Sequence, residues 1–129
     1  MSGRLERAFA QAAAEERAAF IAFLTAGFPS EERFLAAALE VLEYADGLEI
    51  GVAFSDPLGD GPTVQQAGEA ALKNGVTTER VMELARELRG RTDKPLVLMT
   101  YYNPIYCYPG GDAGFVAAAA AAGVDGVIL

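Results

Sequence analysis

Short apolar runs alternate with helical patterns along this chain, and that alternation restricts the folds open to it more than any other feature. Residues 20–25, 47–52, 95–101 and 124–129 each read as a strand, and 95–101 is apolar on both faces, as in a buried parallel strand. Between the first two, Phe34, Leu35, Ala38, Leu39 and Leu42 keep helical spacing. Ser30 stands ahead of them as a cap, with Glu31 and Glu32 at the positive end of the helix. Thr63-Val64-Gln65-Gln66 matches a capping box and predicts a helix over 64–73 that stops at Asn74-Gly75. A further helix starts after Thr77 or Thr78, buries Val81, Leu84, Ala85 and Leu88, and closes with Arg86 and Arg89 near Gly90. The Tyr- and Pro-rich segment 102–110 is expected to be a loop leading into a helix over 112–122, which Gly123 ends. Ahead of everything, 2–17 reads as a helix capped by Ser2, with Leu5, Ala8, Phe9 and Ala12 on one face. Strands separated by helices pair in parallel through right-handed crossovers, so the fold class is α/β. Nothing marks a linker or a low-complexity tail, and residues 1–129 are expected to form a single domain.

One strand carries a residue that packing does not explain. In Leu48-Glu49-Ile50-Gly51-Val52-Ala53-Phe54-Ser55-Asp56-Pro57-Leu58-Gly59-Asp60-Gly61-Pro62, a carboxylate is set into an apolar strand that then breaks into a loop. Alternation puts Leu48 and Ile50 on one face and Glu49 and Gly51 on the other. Burying a carboxylate without partners is costly, so an inward glutamate points to chemistry. Asp60 follows in a loop that Pro57, Gly59, Gly61 and Pro62 bend and stiffen. A strand-borne Glu beside a loop-borne Asp at the carboxyl end of a strand is how an α/β barrel builds an acid–base pair.

Composition removes other chemistries. With no His and one Cys, the chain has no Ser-His-Asp triad, no Cys-His pair and no ordinary zinc site. Acid–base work falls to carboxylates and tyrosines. A net charge of −8, with Lys and Arg scattered, argues against nucleic acid and against an anionic membrane surface. Cys107, between Tyr106 and Tyr108, is expected to be a packed small residue, and a single thiol fits a reducing, cytoplasmic compartment. No secretory leader is read at the start, and no stretch has the apolar length of a membrane span.

The run LEIGVAFSDPLGDG resembles the signature of the tryptophan synthase α-subunit family, the indole-3-glycerol-phosphate lyases. The similarity continues from AFIAFLTAGFP through LMTYYNP to GVDGVIL, across the whole chain. One departure is Ala53, where the family often has Pro; it loosens the loop entry and leaves both acids in place. The resemblance implies a (β/α)8 TIM barrel, of which this chain would supply about the first four βα units. Under it the first helix covers the bottom of the barrel. The implied reaction is cleavage of indole-3-glycerol phosphate to indole and glyceraldehyde 3-phosphate in tryptophan biosynthesis. Glu49 is then the proton-transfer catalyst, and Asp60 the acceptor for the indole N–H. Phe23, Met99 and Tyr101 match positions lining the indole pocket. Asp56, Pro57 and Asn103 match loops facing the β subunit, a pyridoxal-phosphate enzyme that receives the indole; this chain is expected to carry no cofactor of its own. The substrate phosphate is held in the family by the second half of the barrel, and no residue here matches that site, so the isolated chain is expected to be almost inactive.

Plainer readings stand beside these. Glu49 is also explained as an interior carboxylate paired with Arg, Tyr101 or Tyr102, and Asp60 as an ordinary Asp-Gly turn. Phe23 and Met99 are equally barrel core, and Asp56 a solvated rim residue. Asp56, Asp60 and Glu49 offer oxygens to Mg²⁺, but the loop lacks the dense alternation of a dedicated cation site, so no metal is expected. A half-barrel presents a strand edge and an apolar inner face, so self-association without catalysis is the alternative function.

Overall fold

The computed structural model describes residues 3–129. The Ser2 cap expected for the first helix lies outside them. Four strands, β1 (Ile21–Thr25), β2 (Gly47–Gly51), β3 (Leu96–Met99) and β4 (Gly126–Ile128), form one sheet in the order β1-β2-β3-β4, every pair parallel. The helices are α1 (Gly3–Ala14), α2 (Glu31–Leu42), α3 (Pro62–Lys73), α4 (Thr78–Arg89), α5 (Tyr102–Tyr106) and α6 (Gly111–Ala121). Sequential parallel strands with helical connections between them are the arrangement of a (β/α) barrel wall.

The two faces of the sheet differ. Leu48, Ile50, Leu96 and Leu98 are fully buried and pack with Phe34, Ala38 and Leu42 of α2, Val81, Leu84, Ala85 and Leu88 of α4, and Phe115 and Ala119 of α6. This outer layer is the hydrophobic core, and each buried Leu, Ile, Val or Phe in it contributes about 1.5–3 kcal/mol. Strand register aligns Phe23, Glu49, Val97 and Gly126 in one row of the opposite face, and Thr25, Gly51, Met99 and Ile128 in the next. That is the inner face. At its lower end α1 brings Leu5 and Phe9 against Ile21, Pro95 and Val97, around a hollow of about 270 Å³.

Polar networks tie the helix-to-strand junctions. Arg17 grips the Asp46 carboxylate with two bonds of 2.7 and 2.9 Å, and Asp46 also accepts the Phe20 amide. Lys94 donates to the carbonyls of Leu42 and Ala45. Asp125, its side chain 3% exposed, accepts from Arg89 at 2.7 Å, from Arg4 at 3.1 Å and from the Leu96 amide at 2.9 Å. The Arg89 guanidinium donates also to the carbonyls of Gly123, Thr92 and Lys94 and so joins α4, β3 and β4.

The structure corrects several expected boundaries. The helix after the acidic loop begins at Pro62 with Gly61 as its cap, not at Val64 with Thr63. Proline at the first helical position has the φ angle a helix start needs and no N–H to satisfy, and this displaces the capping box. Segment 102–110 is not wholly loop: Tyr102–Tyr106 makes a short helix. Cys107 is exposed rather than packed. Ile105 is the residue of that turn that points inward, and Cys107 follows as the cap with its side chain outside. The strands around β3 and β4 are also shorter than expected, because Thr100 and Tyr101 turn towards α5 and Asp125 turns into the ionic network.

Candidate active site

The acidic loop leaves β2 and returns at α3 across the carboxyl end of the sheet. A cavity of about 410 Å³ opens there, lined by Phe23, Gly51, Met99, Tyr101, Asp60 and Gln65 among others. Its apolar wall comes from three strands in register. Met99 stands opposite Gly51, and the ring of Phe23, rooted one row lower, reaches up against Gly51. Glycine leaves room for the ring at that point: a β-carbon on residue 51 would stand 2.6 Å from Phe23 Cζ.

The loop is pinned at several points. The Gly59 amide donates to the Tyr101 hydroxyl at 2.8 Å, and Tyr101 packs on Phe54 with ring centroids 5.4 Å apart. The Gln65 side-chain amide donates to the carbonyls of Asp60 at 2.8 Å and Pro57 at 3.2 Å. Asp60 itself is half-buried at the cavity wall. Farther out, the Asn74 side-chain amide donates to the Pro29 carbonyl at 2.8 Å, which fastens the end of α3 to the loop after β1.

The candidate residues fall into three groups. Phe23, Met99, Tyr101 and Asp60 come together in the upper cavity, and Pro57 joins them at its edge. Glu49 lies on the same face of the sheet, half-buried, but one row lower, where it lines the hollow under the Phe23 row together with Val97 and Ile21. The two acids therefore share the inner side without lining one cavity. Asp56 and Asn103 are exposed on the rim. Two contributors went unnoticed in the sequence. Gln65 carried a signal as part of the apparent capping box, whereas Gly51 read only as a strand residue.

Electrostatics separates these acids from the rest. Among the described residues neither Glu49 nor Asp60 takes part in an ion pair. The tyrosines proposed as structural partners for Glu49 are engaged elsewhere, Tyr101 with Gly59 and Tyr102 through its hydroxyl with Asp112 at 2.9 Å. By contrast Asp46 is held far below the usual carboxylate range by hydrogen bonds from Arg17 and the Phe20 amide. Glu31 is likewise lowered by its bonds from Arg80. Among the described residues no three carboxylate or thiol groups gather closely enough to hold a metal ion.

Parallel strands wrapped on one side by helices, with a cavity at the carboxyl ends and two acids on the other side that form no ion pair among the described residues, define a (β/α)-barrel wall. The family model for the tryptophan synthase alpha chain matches residues 9–129. The chain belongs to that family. It is 55% identical over 126 residues to the tryptophan synthase alpha chain of Deinococcus radiodurans, covering 98% of this chain and 46% of that one. A solved structure from Aquifex aeolicus VF5 superimposes with a TM-score of 0.93 at 43% identity, covering 99% of this chain and 51% of that one. A tryptophan synthase complex from Pyrococcus furiosus matches with a TM-score of 0.80 at 44% identity, covering 84% of this chain and 45% of that chain. The sequence thus spans about half the length of the relatives it matches, and the architecture is half of a TIM barrel.

Proposed function

We propose that this chain carries the proton-transfer half of an indole-3-glycerol-phosphate lyase, the tryptophan synthase alpha activity, and acts when the remaining βα units complete the barrel. The observation that carries this is an apolar cavity with Asp60 at its wall and Glu49 one row below on the same inner side, neither acid in an ion pair among the described residues. Cleavage breaks the bond from indole C3 to the glycerol carbon. C3 must gain a proton, the ring nitrogen must bear positive charge, and the adjacent hydroxyl must lose its proton as it becomes the aldehyde. Glu49 serves the two proton transfers as acid and base. Asp60, at the wall of the cavity, accepts the indole N–H and stabilises the cationic ring. Phe23, Met99 and Tyr101 bound the ring on its apolar sides.

The partner in this reading is the tryptophan synthase β subunit, met through the exposed rim that includes Asp56, Pro57 and Asn103. Pyridoxal phosphate belongs to that subunit. Residence in the cytoplasm fits a biosynthetic enzyme, and no described helix is long and apolar enough to cross a membrane. Phosphate binding falls to the other half of the barrel, so the 129-residue chain alone turns over little substrate.

The test supplies the missing βα units, as the matching half of the Deinococcus radiodurans relative, and measures indole release from indole-3-glycerol phosphate. Release that depends on both halves, and that Glu49→Gln abolishes, is expected. A folded, complete barrel that releases no indole overturns the reading. A self-associated species of two copies without activity would instead favour the half-barrel module.

A further inference from the structure

We propose that Gln65 is a positioning residue for the Asp60 carboxylate, with Tyr101 as its counterpart on the far side of the loop. The proposal rests on the lyase reading above and adds to it how one of the two acids is held.

Gln65 sits in the first turns of α3, the helix that the acidic loop feeds into. In a capping box the side chain that reaches back is the one three residues past the cap, and it meets the cap amide. Gln65 does something different. Its one amide group donates to two carbonyls, those of Asp60 and Pro57, across the loop that carries Asp60. The Asp60 amide in turn donates to Pro57 at 3.2 Å, so Pro57, Asp60 and Gln65 close a small ring of hydrogen bonds. Between them, the Gly59 amide is fastened to the Tyr101 hydroxyl. The segment from Pro57 to Asp60 is thereby tied to α3 on one side and to the end of β3 on the other. No described cation orients the Asp60 side chain, so its direction at the cavity wall follows from where these bonds put the backbone.

An exposed glutamine in a helix needs no such contacts for stability, since water satisfies both carbonyls equally well. What the bonds provide is a single placement of the loop in place of many. Gln66, the next residue, is also exposed and serves as the control.

The experiment uses the chain as it stands, with ¹⁵N-labelled indole as the probe. Binding is titrated by NMR while the indole N–H proton shift and the exchange rates of the Gly59 and Asp60 amides are recorded. Gln65→Met keeps length and helix propensity but loses the donor. It is expected to bind indole roughly ten-fold more weakly, as the loss of one modest hydrogen bond from the indole N–H to a misplaced Asp60 implies, and to move the indole N–H signal to its position in Asp60→Asn. Tyr101→Phe should do the same with smaller effect, and Gln66→Met should match the native chain. Native affinity and native N–H shift in Gln65→Met overturn the proposal. If the native chain itself leaves indole unperturbed, the ligand reading fails, and the amides decide separately: faster exchange in Gln65→Met sustains the clamp, and unchanged exchange removes it.

Discussion

The ring of Phe23 rests against the bare backbone of Gly51, with Cζ 2.6 Å from the place a β-carbon would occupy. Phe23 is rooted in the row of Glu49, and Gly51 belongs to the row above, so the ring bridges the two layers of the inner face. It lines the cavity that Asp60 lines, while Glu49, in the row of its root, lines the lower hollow.

Gly51→Ala should therefore act on the cavity more than on the fold. The atom it meets is the tip of a half-buried ring that can swing aside, so the stability cost is expected at the low end of overpacking, about 1 kcal/mol. The displaced ring enters the upper cavity and should weaken indole binding there. Urea unfolding and an indole titration of the same variant check the two effects; a variant that loses stability but binds normally would show that the ring does not shape the pocket.

Glu49→Gln and Asp60→Asn should leave the fold intact, because neither carboxylate holds an ion pair among the described residues. In the completed barrel Glu49→Gln is expected to lower kcat by ~10²–10⁴, the usual worth of a positioned acid–base group, with KM little changed. Steady-state kinetics beside a thermal melt checks this. A lost melt transition with retained specific activity would place Glu49 in the core instead.

Asp125→Ala should be far more damaging to stability. It strips the partner from Arg89, whose side chain is only 14% exposed, and breaking such a buried pair costs about 3–5 kcal/mol. The Leu96 amide and Arg4 lose an acceptor in the same step. Chemical denaturation of the variant is the measurement. Asp125→Asn, which keeps an acceptor oxygen, should recover part of the loss.

Acid should unfold the chain through Asp46 and Glu31. Both titrate lower in the folded state, Asp46 because of Arg17 and the Phe20 amide, and Glu31 because of Arg80. The native state then binds fewer protons than the unfolded one, so their contribution is whole above roughly pH 5, where free carboxyls are ionised, and drains away as pH falls below about 4. Asp46→Asn should flatten that part of a stability-against-pH curve and lower the plateau at neutral pH. Because the Arg17 guanidinium is substantially exposed, salt should reduce the difference between variant and native chain.

Much of the outer architecture could be read directly. Ser30 and Thr77 cap their helices through bonds to the amides of Arg33 and Arg80, as their residue types imply. The buried stripes of α2 and α4 are those that helical spacing marks out. These succeed because capping and amphipathic burial are local rules acting over one or two turns. Reading failed where a neighbour in sequence competed with a neighbour in space. The Thr63 box lost to Pro62, α5 formed inside a Pro-rich segment, and Cys107 faced outwards because Ile105 took the inward position.

Sequence by itself determined the alternation of strands and helices, the inward setting of Glu49, and the nature of the groups available for proton transfer, since these depend on residue type and short-range period. Only the tertiary structure decided that Asp60 sits with Phe23, Met99 and Tyr101 while Glu49 lies a row below, and that Gln65 and Tyr101 hold the loop between them. Those relations join residues on different strands through parallel register and long crossovers, and no local rule reaches across such distances.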